Sequence, residues 1–413
     1  MQARRLKLLP IAAAVVGMGL AAGSAQALDF HGYLRSGIGV SDKSGGQVCF
    51  RLPGVPGNGN FRLGNECETY SEIELGQSLY EGKDGVKFDY HIMEAFVTNQ
   101  NGDFENLAMN GNQAALRQNW VEAKNLPFLS GGSAWVGKRY YQRHDIHIND
   151  FFYWDTSGPG AGIEKVKLGS SDMKGSFAIF RRNGTNVGNT ANGNDSTTAY
   201  DARIHDINLG SAGSLEAGLL FNVADTNVPN HKNGTSIMAE WSLPALGGVN
   251  KLFATSGSGS ANAPFFANPN NAPGDKDSSW GIQDTLQWQV SPQFSGMLAA
   301  GYYDFKNNYT WDFIGVRPVW HFSEYFKLQG ELSQNWVKPQ NADQRTLFHI
   351  AIAPTIVSGG GFWTRPELRL FYAYNKWNDA ARDGWGGVAG GTTGPYGTGT
   401  SGSTIGFQVE AWW

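Results

Sequence analysis

The sequence predicts an all-β fold: one antiparallel transmembrane β-barrel of about 18 strands with long external loops. Three observations carry that expectation. Apolar and polar residues alternate with period two along most of the chain, turn-rich breaks come in two very different lengths, and an export leader is matched by a final strand ending on an aromatic residue.

The leader comes first. Arg4, Arg5 and Lys7 precede an apolar run from Leu8 to about Ala22, and Ala25-Gln26-Ala27 supplies small residues at the cleavage spacing. Residues 1–27 therefore read as a signal peptide and 28–413 as one barrel domain, with Leu28 as the mature start. The alternative, an uncleaved anchor, is disfavoured because the apolar run is short for a membrane span.

Beyond the leader no stretch approaches the roughly 20 consecutive apolar residues of a transmembrane helix. Mean hydropathy is −0.35, yet 13% of residues are aromatic, 55 are glycine and only 16% are charged. A barrel reconciles these values, because lipid-facing and lumen-facing residues alternate and cancel in any window average. The net charge is −4, and loss of the leader's three cations leaves −7. No basic block suggests a nucleic-acid partner. Cys49 and Cys67 lie in a Gly/Pro/Asn-rich stretch, where an oxidising compartment favours one disulfide across a loop over a shared metal.

The alternation is explicit in several segments. Val86, Phe88, Tyr90 and Ile92 interleave with Lys87, Asp89 and His91. Leu215, Ala217, Leu219, Phe221 and Val223 oppose Glu216, Gly218 and Asn222. Leu368, Leu370, Tyr372 and Tyr374 oppose Glu367, Arg369 and Asn375. Breaks such as Asp84-Gly85 are short, whereas Ser41–Asn60, Asn183–Thr198, Gly257–Asp277 and Arg382–Ser403 are long. At about 9–11 residues per strand, 18 strands use roughly 200 residues, and 16 would also fit. In the last strand Phe407, Val409, Ala411 and Trp413 share one face, and Gln408, Glu410 and Trp412 the other. Such an ending resembles the assembly signal of bacterial outer-membrane barrels; the alternative is the last strand of a periplasmic sandwich.

Parity also places four aromatic rings among charges. Tyr33 shares a face with His31 and Arg35, Tyr70 with Glu68, Glu72 and Glu74, Trp363 with Arg365, Glu367 and Arg369, and Trp412 with Gln408 and Glu410. Any one ring could be an interfacial girdle residue. Four on charged faces suggest a strip that stacks on the apolar faces of sugar rings while flanking ionic groups bond the hydroxyls.

Several segments are similar to the maltoporin family: Asp29-Phe30-His31-Gly32-Tyr33, Arg62 through Tyr70, Trp135 through Arg139, Tyr141 through Asp145, Tyr153 through Gly162, Gly315 through Pro318, and Trp412-Trp413. The resemblance is densest before residue 165 and loose between about 170 and 310. It implies an 18-stranded homotrimer in the outer membrane that passes maltose and maltodextrins by facilitated diffusion. It implies stacking by Tyr33, Tyr70, Trp363 and Trp412, with Phe104 standing where the family has a Trp that enters a neighbouring subunit. It implies a polar track of Arg35, Arg62, Glu72, Arg117, Arg143, Asp145 and Asp150, and an inward third loop from Arg143 to Phe152, where Phe152 replaces the constriction Tyr. Cys49 and Cys67 match the family's disulfide. A remaining family Phe falls only roughly near Ile237 and is not carried over.

Other constellations are weaker. His144, Asp145 and His147 suggest a loop salt-bridge network rather than a metal site. Gly158-Pro159-Gly160-Ala161-Gly162 lacks a following helix pattern and reads as a turn rather than a dinucleotide loop. No GxSxG, HExxH or P-loop ending occurs, and no cofactor is expected. The rival functions are a porin for another oligosaccharide such as sucrose, a general diffusion porin, an outer-membrane hydrolase and a surface adhesin.

Overall fold

A computed structural model describes residues 28–57, 59–100, 102–109, 111–182, 197–224, 232–262 and 278–413. The leader lies outside the described residues, as do most of two long loops, 183–196 and 263–277. The strands in chain order are β1 (Asp29–Ser41), β2 (Thr69–Glu81), β3 (Lys87–Thr98), β4 (Gln113–Leu126), β5 (Gly132–Arg139), β6 (His144–Ile146) and β7 (Phe151–Trp154). They continue with β8 (Gly158–Lys167), β9 (Lys174–Arg182), β10 (Thr197–Asn208), β11 (Ser214–Val223), β12 (Gly234–Ala245) and β13 (Gly248–Ser258). The last are β14 (Ser278–Ser291), β15 (Phe294–Phe305), β16 (Tyr309–His321), β17 (Phe326–Pro339), β18 (Arg345–Val357), β19 (Glu367–Trp377) and β20 (Ser401–Trp412).

All but β6 and β7 join one closed sheet of 18 strands, each paired antiparallel with its neighbours in sequence. Closure is made by β1 against β20, with Tyr33 opposite Trp412 and Ser41 opposite Thr404. Closing the sheet removes both edges, so every strand finds two partners and no ladder is left facing lipid. The alternation read from the sequence decides which face goes where. In β20 Phe407 is 63% exposed, while its neighbours Gln408 and Glu410 are 5% and 0% exposed. Leu219, Phe221 and Val223 of β11 face outward and Asn222 is buried within.

One end of the barrel carries tight turns. The two-residue connection Leu246-Gly247 has positive φ at both positions (50° and 72°), the geometry that lets a hairpin follow strand twist. The other end carries the long connections 42–68, 140–157 and 378–400. Short periplasmic turns and long external loops give the barrel its orientation.

Two of the long loops fold inward, and they put an apolar core inside the barrel. The interior is therefore not uniformly polar, as strand parity alone implied. The loop between β5 and β8 forms the β6–β7 hairpin, whose Ile146, Ile148, Phe151, Tyr153 and Trp154 are buried. Phe151 meets the rings of Trp311, Tyr303 and Phe313 edge-on, and Tyr153 and Trp154 pack on Phe253. From the first external loop, Phe61 also packs on Phe313. Wall glycines seat these rings: a Cβ on Gly218 would lie 2.4 Å from Trp154, and one on Gly315 would lie 1.9 Å from Phe61. Loops 1 and 3 thus pack against the wall from β10 to β19, leaving a cavity along β1, β2, β4 and β20.

The segment Gly158–Gly162, read as a turn, is the first half of barrel strand β8, paired with β5 and β9. Its glycines answer inward packing rather than chain reversal. A Cβ at Gly162 would stand 2.9 Å from the Trp135 indole nitrogen, and one at Gly160 would stand 2.9 Å from Phe180.

Cys49 and Cys67 form a disulfide, with Cα atoms 5.9 Å apart, across the first external loop. In the entropic model a loop of that size gains about 3 kcal/mol from the cross-link. A Cys49→Ser/Cys67→Ser variant should still fold and conduct, because the barrel ladder does not depend on the bridge. Protease should then cleave loop 1 faster than in the oxidised protein. A variant that no longer reaches the membrane would contradict this.

Candidate functional site

Strand register assembles the site across the closure. In one row, Glu72, Tyr33 and Trp412 stand side by side on β2, β1 and β20; in the next, Tyr70, Arg35 and Glu410 do. Tyr33 and Tyr70 have ring centroids 6.1 Å apart. Trp412 and Trp363 flank His147 of loop 3, which meets them at 5.8 and 5.1 Å. The rings therefore line up from the external start of β2 towards the periplasmic end of the barrel.

Trp363 reaches this line by another route than the sequence suggested. It lies in the turn 358–366 before β19, not on a strand, so strand parity does not place it. Three glycines, Gly359–Gly361, open the turn, and Pro366 has no N–H to give a ladder. The turn carries the indole to the mouth of the same cavity.

That cavity, about 650 Å³, is lined by Tyr33, Tyr70, Trp363, Trp412, Arg35, Arg62, Glu72, Arg117, Arg143, Asp145, Asp150 and Phe152. It thus gathers every aromatic and polar residue singled out for stacking, track and constriction, with the exception of Phe104. Phe104 is 86% exposed, outside this chain's own cavity. Ile237 is 62% exposed on the outer face and takes no part.

Charge pairing fixes the polar side. Arg35 donates to Glu68 at 2.6 Å and to Asp150 at 3.1 Å, tying β1 to loop 3. Arg62 donates to the Tyr33 hydroxyl at 2.6 Å and pairs with Glu66 and Glu410 at 2.6 and 2.9 Å. Tyr33 in turn donates to Glu410 at 3.0 Å. Behind the rings Arg365 sits 4.2 Å from the Trp412 ring and pairs with Glu410 at 2.8 Å. Buried ion pairs of this kind add little net stability but hold side chains in one geometry.

His147, Gly57 and Asp155 also line the cavity and were not singled out as lining residues in the sequence. Burial holds the His147 imidazole well below its ordinary pKa, and the nearby Arg62, Arg365 and Arg317 push it the same way. It is the neutral form that accepts from Arg365 at 2.9 Å through Nε2. His144 turns to the opposite wall, 2.9 Å from Glu240 and 3.5 Å from Glu216. The two histidines serve separate contacts: His144 meets two wall carboxylates, whereas neutral His147 accepts from an arginine, so the salt-bridge network expected of this loop does not include His147.

The model of the LamB porin family matches residues 28–413 of this chain. The chain belongs to the LamB porin family. Among solved structures, OpdK from Pseudomonas aeruginosa superposes with a TM-score of 0.51 at 10% identity, over 94% of this chain and 99% of that one. OccAB2 from Acinetobacter baumannii gives 0.51 at 9% identity, over 94% and 98%. At that identity the likeness shows the barrel fold alone. This LamB porin is an outer-membrane β-barrel channel, and the family and fold indicate a pore rather than an enzyme.

Proposed function

We propose that this LamB porin passes maltose and maltodextrins by facilitated diffusion, as a homotrimer whose mature chain begins at Leu28. One observation carries the reading: four rings and a hydrogen-bonding polar rail converge on one cavity. A pyranose presents an apolar face and a rim of hydroxyls, so it needs both surfaces together. A simple sieve has no use for rings in its lumen.

The charges lining the cavity also favour a neutral solute. Arg35, Arg62, Arg117 and Arg143 are matched by Glu72, Asp145, Asp150 and Asp155. OpdK has been solved with vanillate, an aromatic carboxylate. A balanced rail gives no net charge to draw in such an anion. Phe104, exposed on the second external loop, is assigned to the neighbouring subunit's channel. The strand ending at Trp413 is assigned to recognition by the barrel-assembly machinery.

Conductance block in a planar bilayer tests the reading, titrated with maltotriose, maltohexaose, sucrose and an unrelated sugar. Maltohexaose should block at the lowest concentration. Stronger block by sucrose would move the assignment to another oligosaccharide, and no block by any sugar would leave a general diffusion pore. Intact mass should show loss of residues 1–27, and unheated gel mobility should show a trimer. A retained leader or a monomer in mild detergent would contradict those assignments.

A further inference from the structure

Tyr140 stands between β5 and loop 3 and is absent from the tracks that sequence patterning picks out. Its single hydroxyl is fully used: it donates to Glu72 Oε1 at 2.7 Å and accepts from Arg117 Nε at 2.5 Å. Among the described residues Tyr140 is the only hydrogen-bond partner of the Arg117 side chain, through Nε. The same Glu72 oxygen accepts from the Tyr70 hydroxyl at 2.5 Å, so a stacking ring and a rail carboxylate share this node. The Tyr140 ring acts on a third group. The Arg143 guanidinium carbon lies 3.5 Å from its centre and 4.5 Å from that of Phe152. Tyr140 itself is pinned where its backbone N–H donates to Gln118 Oε1 at 3.0 Å.

We propose that Tyr140 is the positioning residue of the polar rail. Its hydroxyl orients Arg117 and Glu72, and its ring carries Arg143, beside a constriction whose own ring, Phe152, has no hydroxyl. A guanidinium on a flexible stem loses rotamer freedom on binding a solute unless something already holds it. Tyr140 supplies that holding before the solute arrives, so its effect is on the residence of the bound sugar and not on the width of the pore. The affinity consequence rests on the sugar reading above; the positioning of Arg117 does not.

Two readouts on Tyr140→Phe, which keeps the ring and removes the hydroxyl, separate the two claims. The first needs no sugar. Phenylglyoxal modification of trimers, followed by peptide mass, should proceed several-fold faster at Arg117 than in the unmodified sequence. Arg35, held by Glu68 and Asp150, should react as before. An unchanged Arg117 rate overturns the proposal. The second is block by maltohexaose, which should weaken about fivefold, the value of roughly one hydrogen bond, through faster release at unaltered small-ion conductance. Faster modification with unchanged block overturns the role in affinity. If the parent channel is not blocked by any sugar, the sugar reading fails, and the Arg117 rate alone decides the positioning role.

Discussion

Replacing Trp412 or Trp363 by alanine should weaken maltohexaose block of single channels about fivefold each, with small-ion conductance equal or higher. Each indole faces His147 in the cavity, and each offers a flat apolar surface beside charged groups. Loss of one stacking partner costs roughly 1 kcal/mol, about a fivefold change in Kd. The neighbouring Trp413 gives the control. It points outward and packs on Phe30 with ring centroids 5.6 Å apart. Trp413→Ala should lower the yield of assembled protein and leave the block of assembled channels unaltered. Equal weakening by Trp413→Ala and Trp412→Ala would mean that the last strand does not present its faces as the register with β1 requires.

The second large effect is expected at Gly218, far from the rings. Trp154 occupies the space a side chain would need there, with the Arg203 guanidinium 4.5 Å from its ring. Gly218→Leu should drive the indole out and unseat the base of loop 3. The packing lost is comparable to truncating a buried aromatic, about 3–5 kcal/mol. Single-channel conductance should rise and become noisier, because loop 3 is what narrows the lumen. Adding Trp154→Ala to Gly218→Leu makes room for the new side chain and should return conductance part of the way. Parent-like conductance in Gly218→Leu would mean that loop 3 is held by other contacts.

How much of this was legible in the sequence follows from the range of the interactions involved. Strand alternation is local, so the outward Leu219 and Phe221 and the inward Tyr33, Tyr70 and Trp412 could be read from parity alone. Any closed sheet must pair its first strand with its last, and here that sets Tyr33 opposite Trp412. The strand count needed the structure, since 16 strands used the residues as well as 18. Long-range packing was invisible. Nothing near Gly160 or Gly162 announces that Trp135 and Phe180 will press on them from inside, and a glycine-rich run without that context resembles a turn. Trp363 lines the cavity but does not lie on a strand, because Pro366 ends the turn where parity assumed one. The burial of Phe61 and Phe151 in loops 1 and 3 has no local signal, since their partners on β15 and β16 are more than 140 residues away. Tyr140 carried no signal of its own. Its importance comes from three groups that only folding brings to one ring.

The central claim is that sugar rings lie along Tyr70, Tyr33, Trp412 and Trp363 with their hydroxyls on the arginine and carboxylate rail. A crystal structure of the mature trimer soaked with maltohexaose tests it most directly. Consecutive pyranose faces are expected within van der Waals contact of these rings, and hydroxyls within hydrogen-bond distance of Arg35, Arg117, Arg143 and Asp145. A maltohexaose lying instead against the β8–β12 wall, or no ordered sugar at concentrations that block the channel, would contradict it.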